Sequence, residues 1–168
     1  MVRKTAQLDN IILYAPKIEI EDGFTGSLQL FACDTLLVGE KCTLRFPSFI
    51  AVMEPTGNRP IIEIKKDTRI LGDVVMLSRS ESKHIIAECR VGSGTSVSGT
   101  IFCEGRLELN GSVSGQIYCK SFLLRTRSSE YENHLLNANI DGRSLSTYYA
   151  GSLICKKQGC YKQIETLQ

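Results

Sequence analysis

Seven cysteines, two histidines and a few serine and glycine patterns are the groups from which this chain could build a reactive centre. The cysteines are Cys33, Cys42, Cys89, Cys103, Cys119, Cys155 and Cys160, and none forms C-x-x-C. An odd number leaves one thiol outside any complete disulfide framework. Most lie inside apolar strand patterns, where free cysteine behaves as a small hydrophobe. That usage suits a reducing compartment. Cys155 and Cys160 are the closest pair, with Lys156, Lys157 and Lys162 beside them to favour thiolates. Two thiols fall short of a four-ligand structural zinc site. A tail with incidental cysteines is the plainer explanation, and a redox or intermolecular disulfide role is the sharper one. His84 stands at a strand entrance beside Ile85, and His134 falls in a segment after the last strand pattern. Neither has a ligand partner nearby in sequence, so both are expected as solvated surface histidines.

Nucleophile and cofactor patterns fail on their details. Gly111-Ser-Val-Ser-Gly115 puts Val113 where a nucleophile elbow needs serine. Ser80-Glu-Ser-Lys83 matches S-x-x-K but lies in a polar turn without companion motifs. Gly92-Ser-Gly94 has Val97 where a dinucleotide fingerprint needs its third glycine. Asn110-Gly-Ser112 is a glycosylation sequon by letters only. Lys65, Lys66, Asp67, Arg69 and Asp73 are the best acid–base candidates for carbohydrate chemistry, and they read more simply as a solvated strand edge and turn. No catalytic, cofactor-binding or metal-binding residue is expected, and the chain is not expected to be an enzyme.

The elements that would hold such groups are strands. Over 168 residues, valine, isoleucine and threonine total 35 against seven alanines. Branched side chains are stiff at χ1 and suit a pleated surface. Fourteen glycines and four prolines suit many tight corners, and tryptophan is absent. The 20 Lys+Arg and 18 Asp+Glu leave a surplus of two, all of it in the tail after Ile154. A neutral body is no strongly electrostatic nucleic-acid binder and repels its own copies little. No apolar run reaches the length of a membrane helix, and Pro16 interrupts the only apolar stretch near the N-terminus.

A repeat organises these strands. Val97-Ser-Gly99-Thr-Ile101-Phe-Cys103 recurs 16 residues later as Val113-Ser-Gly115-Gln-Ile117-Tyr-Cys119. The same offset carries Leu107 onto Leu123. Moving back by 16 carries Ile101 onto Ile85, Cys103 onto Ala87 and Leu107 onto Val91. The pattern apolar-x-Gly-x-apolar-x-apolar also appears at Ile70–Met76 and Phe24–Leu30, with Leu44 and Phe46 standing 16 residues after Leu28 and Leu30. Apolar positions alternate within each unit, which is strand periodicity. An antiparallel sandwich would also alternate, but it has no reason to keep one offset in several columns. A parallel β-helix does, because its coils stack at about 4.8 Å and like columns form ladders. Cys103 would then lie over Cys119 with parallel side chains, poor geometry for a disulfide. About six or seven coils would make a rod of about 30 Å.

The ladder is expected to stop where Leu109 maps onto Arg125 and Gly111 onto Arg127. Ser129 with Glu132 suggests a helical capping box, and Tyr131, Leu135 and Ala138 follow helical spacing. An open β-helix end exposes unpaired backbone, so a cap or a partner is expected. The sequence therefore divides into a flexible N-terminus over 1–10, a parallel β-helix over 11–127, a capping segment over 128–154 and a basic, cysteine-containing tail over 155–168.

The run Gly-x-Ile-x-Cys-x-Gly-x-Leu-x-Leu-x-Gly from Gly99 to Gly111, followed by the next Val-x-Gly-x-Ile unit, resembles the bactofilins and related polymer-forming bacterial β-helix proteins. The likeness covers Ile85 to Leu124, and more loosely Phe24 to Met76. It implies an all-β fold, a single-stranded parallel β-helix of right hand, with end-to-end assembly and no nucleotide, cofactor or catalysis. Tyr131-Glu-Asn-His-Leu-Leu and Tyr148-Tyr-Ala-Gly-Ser are also similar to end segments of uncharacterised Bacteroidetes envelope β-helix proteins that carry an N-terminal membrane anchor. The expected function is a structural, self-assembling or scaffold-forming protein that associates with itself through β-helix ends or walls. The expected setting is cytoplasmic or at the membrane or envelope, with membrane contact only through a partner or an upstream anchor. A carbohydrate-active or carbohydrate-binding β-helix is the alternative, and it requires an acidic or aromatic groove along one wall. A left-handed acyltransferase helix fits less well, because its unit is eighteen residues built of hexapeptides and His84 stands alone.

Overall fold

The computed structural model describes residues 1–53, 59–78 and 87–144. Its strands are β1 (Asp9–Ile20), β2 (Thr25–Val38), β3 (Thr43–Val52), β4 (Ile61–Ile64), β5 (Arg69–Met76), β6 (Glu88–Val91), β7 (Ser96–Leu109), β8 (Ser112–Arg125), β9 (Glu130–Glu132) and β10 (Asn139–Ile140). One turn of 3-10 helix, Gly142–Ser144, is the only helical element among the described residues. The protein is all-β, and its sheet is parallel and solenoid-like. All its pairings are parallel except that of β9 with β8. The first half of β2 pairs with β3 and its second half with β4. β3 leads to β5 and β4 to β6, and both β5 and β6 then pair with β7.

The pairings stack like residues into columns. Leu13, Leu30, Ile50, Val74, Ile101 and Ile117 are partners in succession. So are Ala15, Ala32, Val52, Met76, Cys103 and Cys119. We call the wall that carries these two columns the first wall. A second wall stacks Ile18, Leu36, Ile62, Cys89 and Leu107. A third column runs Gly26, Leu44, Ile70, Val97, Val113 and Ile140. Most members of these columns are buried in one apolar core. Each fully buried aliphatic side chain contributes about 1.5–3 kcal/mol, so a level gains stability mainly by lying on its neighbour.

Corners are where the sequence is most constrained. Gly72, Gly99 and Gly115 take φ of 149°, 154° and 159°. A Cβ on each would stand 1.7 Å from the Ser48 carbonyl oxygen, 2.3 Å from that of Gly72 and 1.8 Å from that of Gly99. Only glycine lets the backbones approach this closely. A second corner is a hydroxyl ladder. Thr68 Oγ1 donates to the Gly39 carbonyl (2.8 Å) and accepts from the Cys42 amide (3.2 Å). Thr95 Oγ1 donates to the Lys65 carbonyl (2.7 Å) and accepts from the Thr68 amide (3.3 Å). Cys42 holds the same place one level down, its thiol donating to the Glu21 carbonyl (3.3 Å).

Several expectations change. The sixteen-residue step holds only from β7 to β8, where Ile101 meets Ile117 and Cys103 meets Cys119. A bulge after Cys103 then shifts the register, so Leu107 faces Phe122 rather than Leu123. Below β7, Leu107 lies on Cys89 rather than Val91, Cys103 on Met76 rather than Ala87, and Ile101 on Val74. The physical reason is the chain between β5 and β6, which lengthens that level. Ile85 lies outside the described residues. The Phe24–Leu30 unit is displaced by two positions, since Gly26 lies on Leu44 and Leu30 on Ile50. Phe46, expected in a column, sits in a register break between Leu44 and Ser48 and is exposed.

The capping segment forms strands where a helix was expected. β9 runs antiparallel to Leu123–Arg125, and β10 continues the third column beside Ser112 and Val113. Positive φ at Asn133 (58°) and Asn137 (57°) turns the chain twice within the region of helical spacing. Arg125 points outward instead of blocking the core, because the bulge in β8 resets the alternation. Within 1–10, the stretch expected to be flexible, Val2 bridges Ile20, and Val2, Ala6 and Leu8 pack on the core.

Candidate functional site

The second wall gathers charge at its β8 end. Glu88 and Arg90 project from β6, Arg106 and Glu108 from β7, and the pairings set Glu88 beside Arg106 and Arg90 beside Glu108. Opposite signs are therefore neighbours both along and across the strands, an arrangement that favours this register. Arg125 from β8 and Glu130 from β9 complete the group. Glu88 accepts from Arg90 Nη2 (2.6 Å), Arg90 Nε (3.0 Å) and the Arg106 guanidinium. Arg125 donates to Glu108 (2.7 Å) and to Glu130 (2.9 Å), and lies 3.5 Å from Glu88.

Burial by itself would raise the Glu88 carboxyl. The hydrogen bond and charge of Arg90 and the charges of Arg106 and Arg125 outweigh it and hold Glu88 below the usual carboxylate range. The hydrogen bond to Glu130 raises Arg125, which stays charged at any relevant pH. Arg106 Nε is buried without an acceptor among the described residues. A general acid needs a carboxyl tuned upward toward the working pH. Glu88 is tuned the other way, so the cluster is arranged to hold charge in place.

A second feature is the backbone at the two ends of the first wall. Beyond β1, only Val2 pairs, at Ile20 near the strand's end. Beyond β8, β10 covers Ser112 and Val113, and β9 covers Leu123 to Arg125. Among the described residues, no strand lies against the outer edge of β1 from Ile11 to Lys17 or of β8 from Gln116 to Lys120. These open segments belong to the same two columns, ending in Leu13 and Ala15 at one end and Ile117 and Cys119 at the other. Tyr14 and Tyr118, partners of Phe31 and Phe102, stand exposed beside them at 76% and 42%.

The residues singled out from the sequence are scattered. His134 is exposed, with Nδ1 2.7 Å from the Glu132 carbonyl oxygen and its ring against Tyr131. His84, Ser80 to Lys83, Cys155 and Cys160 lie outside the described residues. Lys66 pairs with Glu40 (3.6 Å), while Asp73 accepts from the Thr100 amide (2.7 Å). Gly92, Gly94 and Gly111 fill corners, where a Cβ would meet neighbouring atoms at 2.8 Å or less. Asn110 bonds Glu108 weakly (3.5 Å). The five described cysteines are free thiols. Burial pushes Cys103 up to about 12 and Cys89 well above the ordinary thiol value. No group of three metal-ligating side chains converges among the described residues. No described helix is long and apolar enough to cross a membrane.

Sequence reading missed the charged cluster because its members meet only in the true register. The signal was present as Glu-x-Arg at 88–90 and Arg-x-Glu at 106–108, reversed patterns eighteen residues apart. No protein-family model matches this chain, and neither a curated protein nor a solved structure matches it significantly.

Proposed function

We propose that the solenoid-like sheet is a single-stranded, right-handed β-helix, and that the protein is a non-catalytic structural element. It assembles with itself or forms a scaffold in the bacterial cell or at its envelope. The observation that carries this reading is the pair of open strand edges at opposite ends of the first wall. An unpaired, partly apolar edge is a template for another strand. The second wall offers no such template, since Val2 covers it at one end and β9 at the other. Handedness is supported by the strong preference of parallel crossover connections for the right hand. The neutral charge of the body supports self-association and disfavours nucleic acid.

The carbohydrate-active alternative draws on the gathering of Glu88, Glu108 and Glu130. Arginines engage all three, and Glu88 is held ionised, which favours the structural reading. The experiment is negative-stain imaging of wild type beside Tyr118→Lys, since lysine on an edge blocks strand addition. Wild type should form rods or sheets longer than one molecule, and the variant should give single particles. Identical single particles in both would remove the assembly claim.

A further inference from the structure

The charged cluster opens into a cleft of about 460 Å³ on the second wall. Four guanidinium groups line it, from Arg59, Arg90, Arg106 and Arg125, against two carboxylates, Glu88 and Glu130. A cleft of this volume suits a small molecule. The two carboxylates are not equally committed. Glu88 is 11% exposed and meets three arginines. Glu130 is 50% exposed, sits on the three-residue strand β9, and bonds Arg125 Nε (2.9 Å) with Arg106 Nη1 at 3.7 Å. Arg59 stands exposed on the rim with no ion pair among the described residues.

We propose that this cleft binds a small molecule through an oxyanion, a carboxylate or a phosphate, which takes the place of Glu130 on Arg106 and Arg125 and is closed over by Arg59. Planar guanidinium forks match either anion with paired, charge-assisted hydrogen bonds. Glu130 shows what the seat accepts: it is a carboxylate tethered by the chain, and an incoming anion competes with it. The site is independent of the assembly edges, because it lies on the covered wall.

The test uses the full chain with inorganic phosphate and citrate as probes, each titrated calorimetrically at constant ionic strength with chloride as the balancing ion. At least one probe should bind saturably, and comparing the two tells phosphate from carboxylate preference. Arg59→Ala, at an exposed position, should weaken binding about tenfold, the scale of losing a hydrogen bond to a charged group. Glu130→Gln should tighten it severalfold by removing the competing charge. Melting curves on both variants establish that each is folded. Binding no tighter than chloride in wild type and in Glu130→Gln overturns the proposal. Unchanged affinity in Arg59→Ala, or weaker affinity in folded Glu130→Gln, does so as well.

Discussion

At the scale of single residues, the corners set the tolerance of this fold. Gly99→Ala would place a methyl 2.3 Å from the Gly72 carbonyl oxygen at a φ of 154°. Strained backbone alone costs about 1–3 kcal/mol, so the variant should lose at least about 2 kcal/mol in a urea melt. Gly23 is the control, with φ of 77° but no atom within 4 Å of the point where an added methyl would stand. Gly23→Ala should lose only about 1 kcal/mol, and equal losses at both positions would contradict the close-approach account. Thr68→Val is isosteric but strands the Cys42 amide and the Gly39 carbonyl, and should cost about 1–3 kcal/mol by the same measurement. The thiols give a chemical test. Burial holds Cys89 and Cys103 protonated, so a thiol reagent at mildly alkaline pH should leave both unmodified in the native protein, as read by peptide mass. Prompt labelling of Cys103 would place it outside the core.

At the scale of elements, the pairing of β6, β7 and β8 depends on charge register. The folded state holds Glu88 ionised below the ordinary carboxylate range. Its contribution is therefore full at neutral pH and disappears as pH falls through the folded value. Glu88→Gln should melt lower than wild type at neutral pH, by about 1–3 kcal/mol for hydrogen bonds to a charged group. The gap should close toward acid. A constant gap at every pH would show that the charge contributes nothing. How much of this was legible follows from local length. β7 and β8 carry the same short unit at one spacing, so Ile101 over Ile117 and Cys103 over Cys119 could be read directly. Levels lengthened between strands defeat a fixed offset, which is why Leu107 went to Val91 instead of Cys89. The Arg125 side chain looked like a block to the core until a one-residue bulge turned it outward to Glu108. In the cap, i, i+3 and i+4 spacing around Tyr131 suggested a helix, but left-handed Asn133 and Asn137 bend the chain into two short strands instead. A bulge leaves little trace in composition, because it depends on which neighbour supplies the next hydrogen bond.

At the scale of the whole molecule, the ends differ from the walls. The second wall is closed by Val2 at one end and by β9 at the other, whereas the first wall leaves Ile11 to Lys17 and Gln116 to Lys120 without a covering strand among the described residues. Association confined to one wall keeps the charged cleft accessible, so assembly and anion binding should proceed independently. The most direct measurement of the central claim is sedimentation velocity over a concentration series through the micromolar range, for wild type and for Tyr118→Lys. Wild type should shift to larger species as concentration rises, while the variant stays at the monomer position with an unchanged melting temperature. A wild type that sediments as a monomer at every concentration would contradict the account.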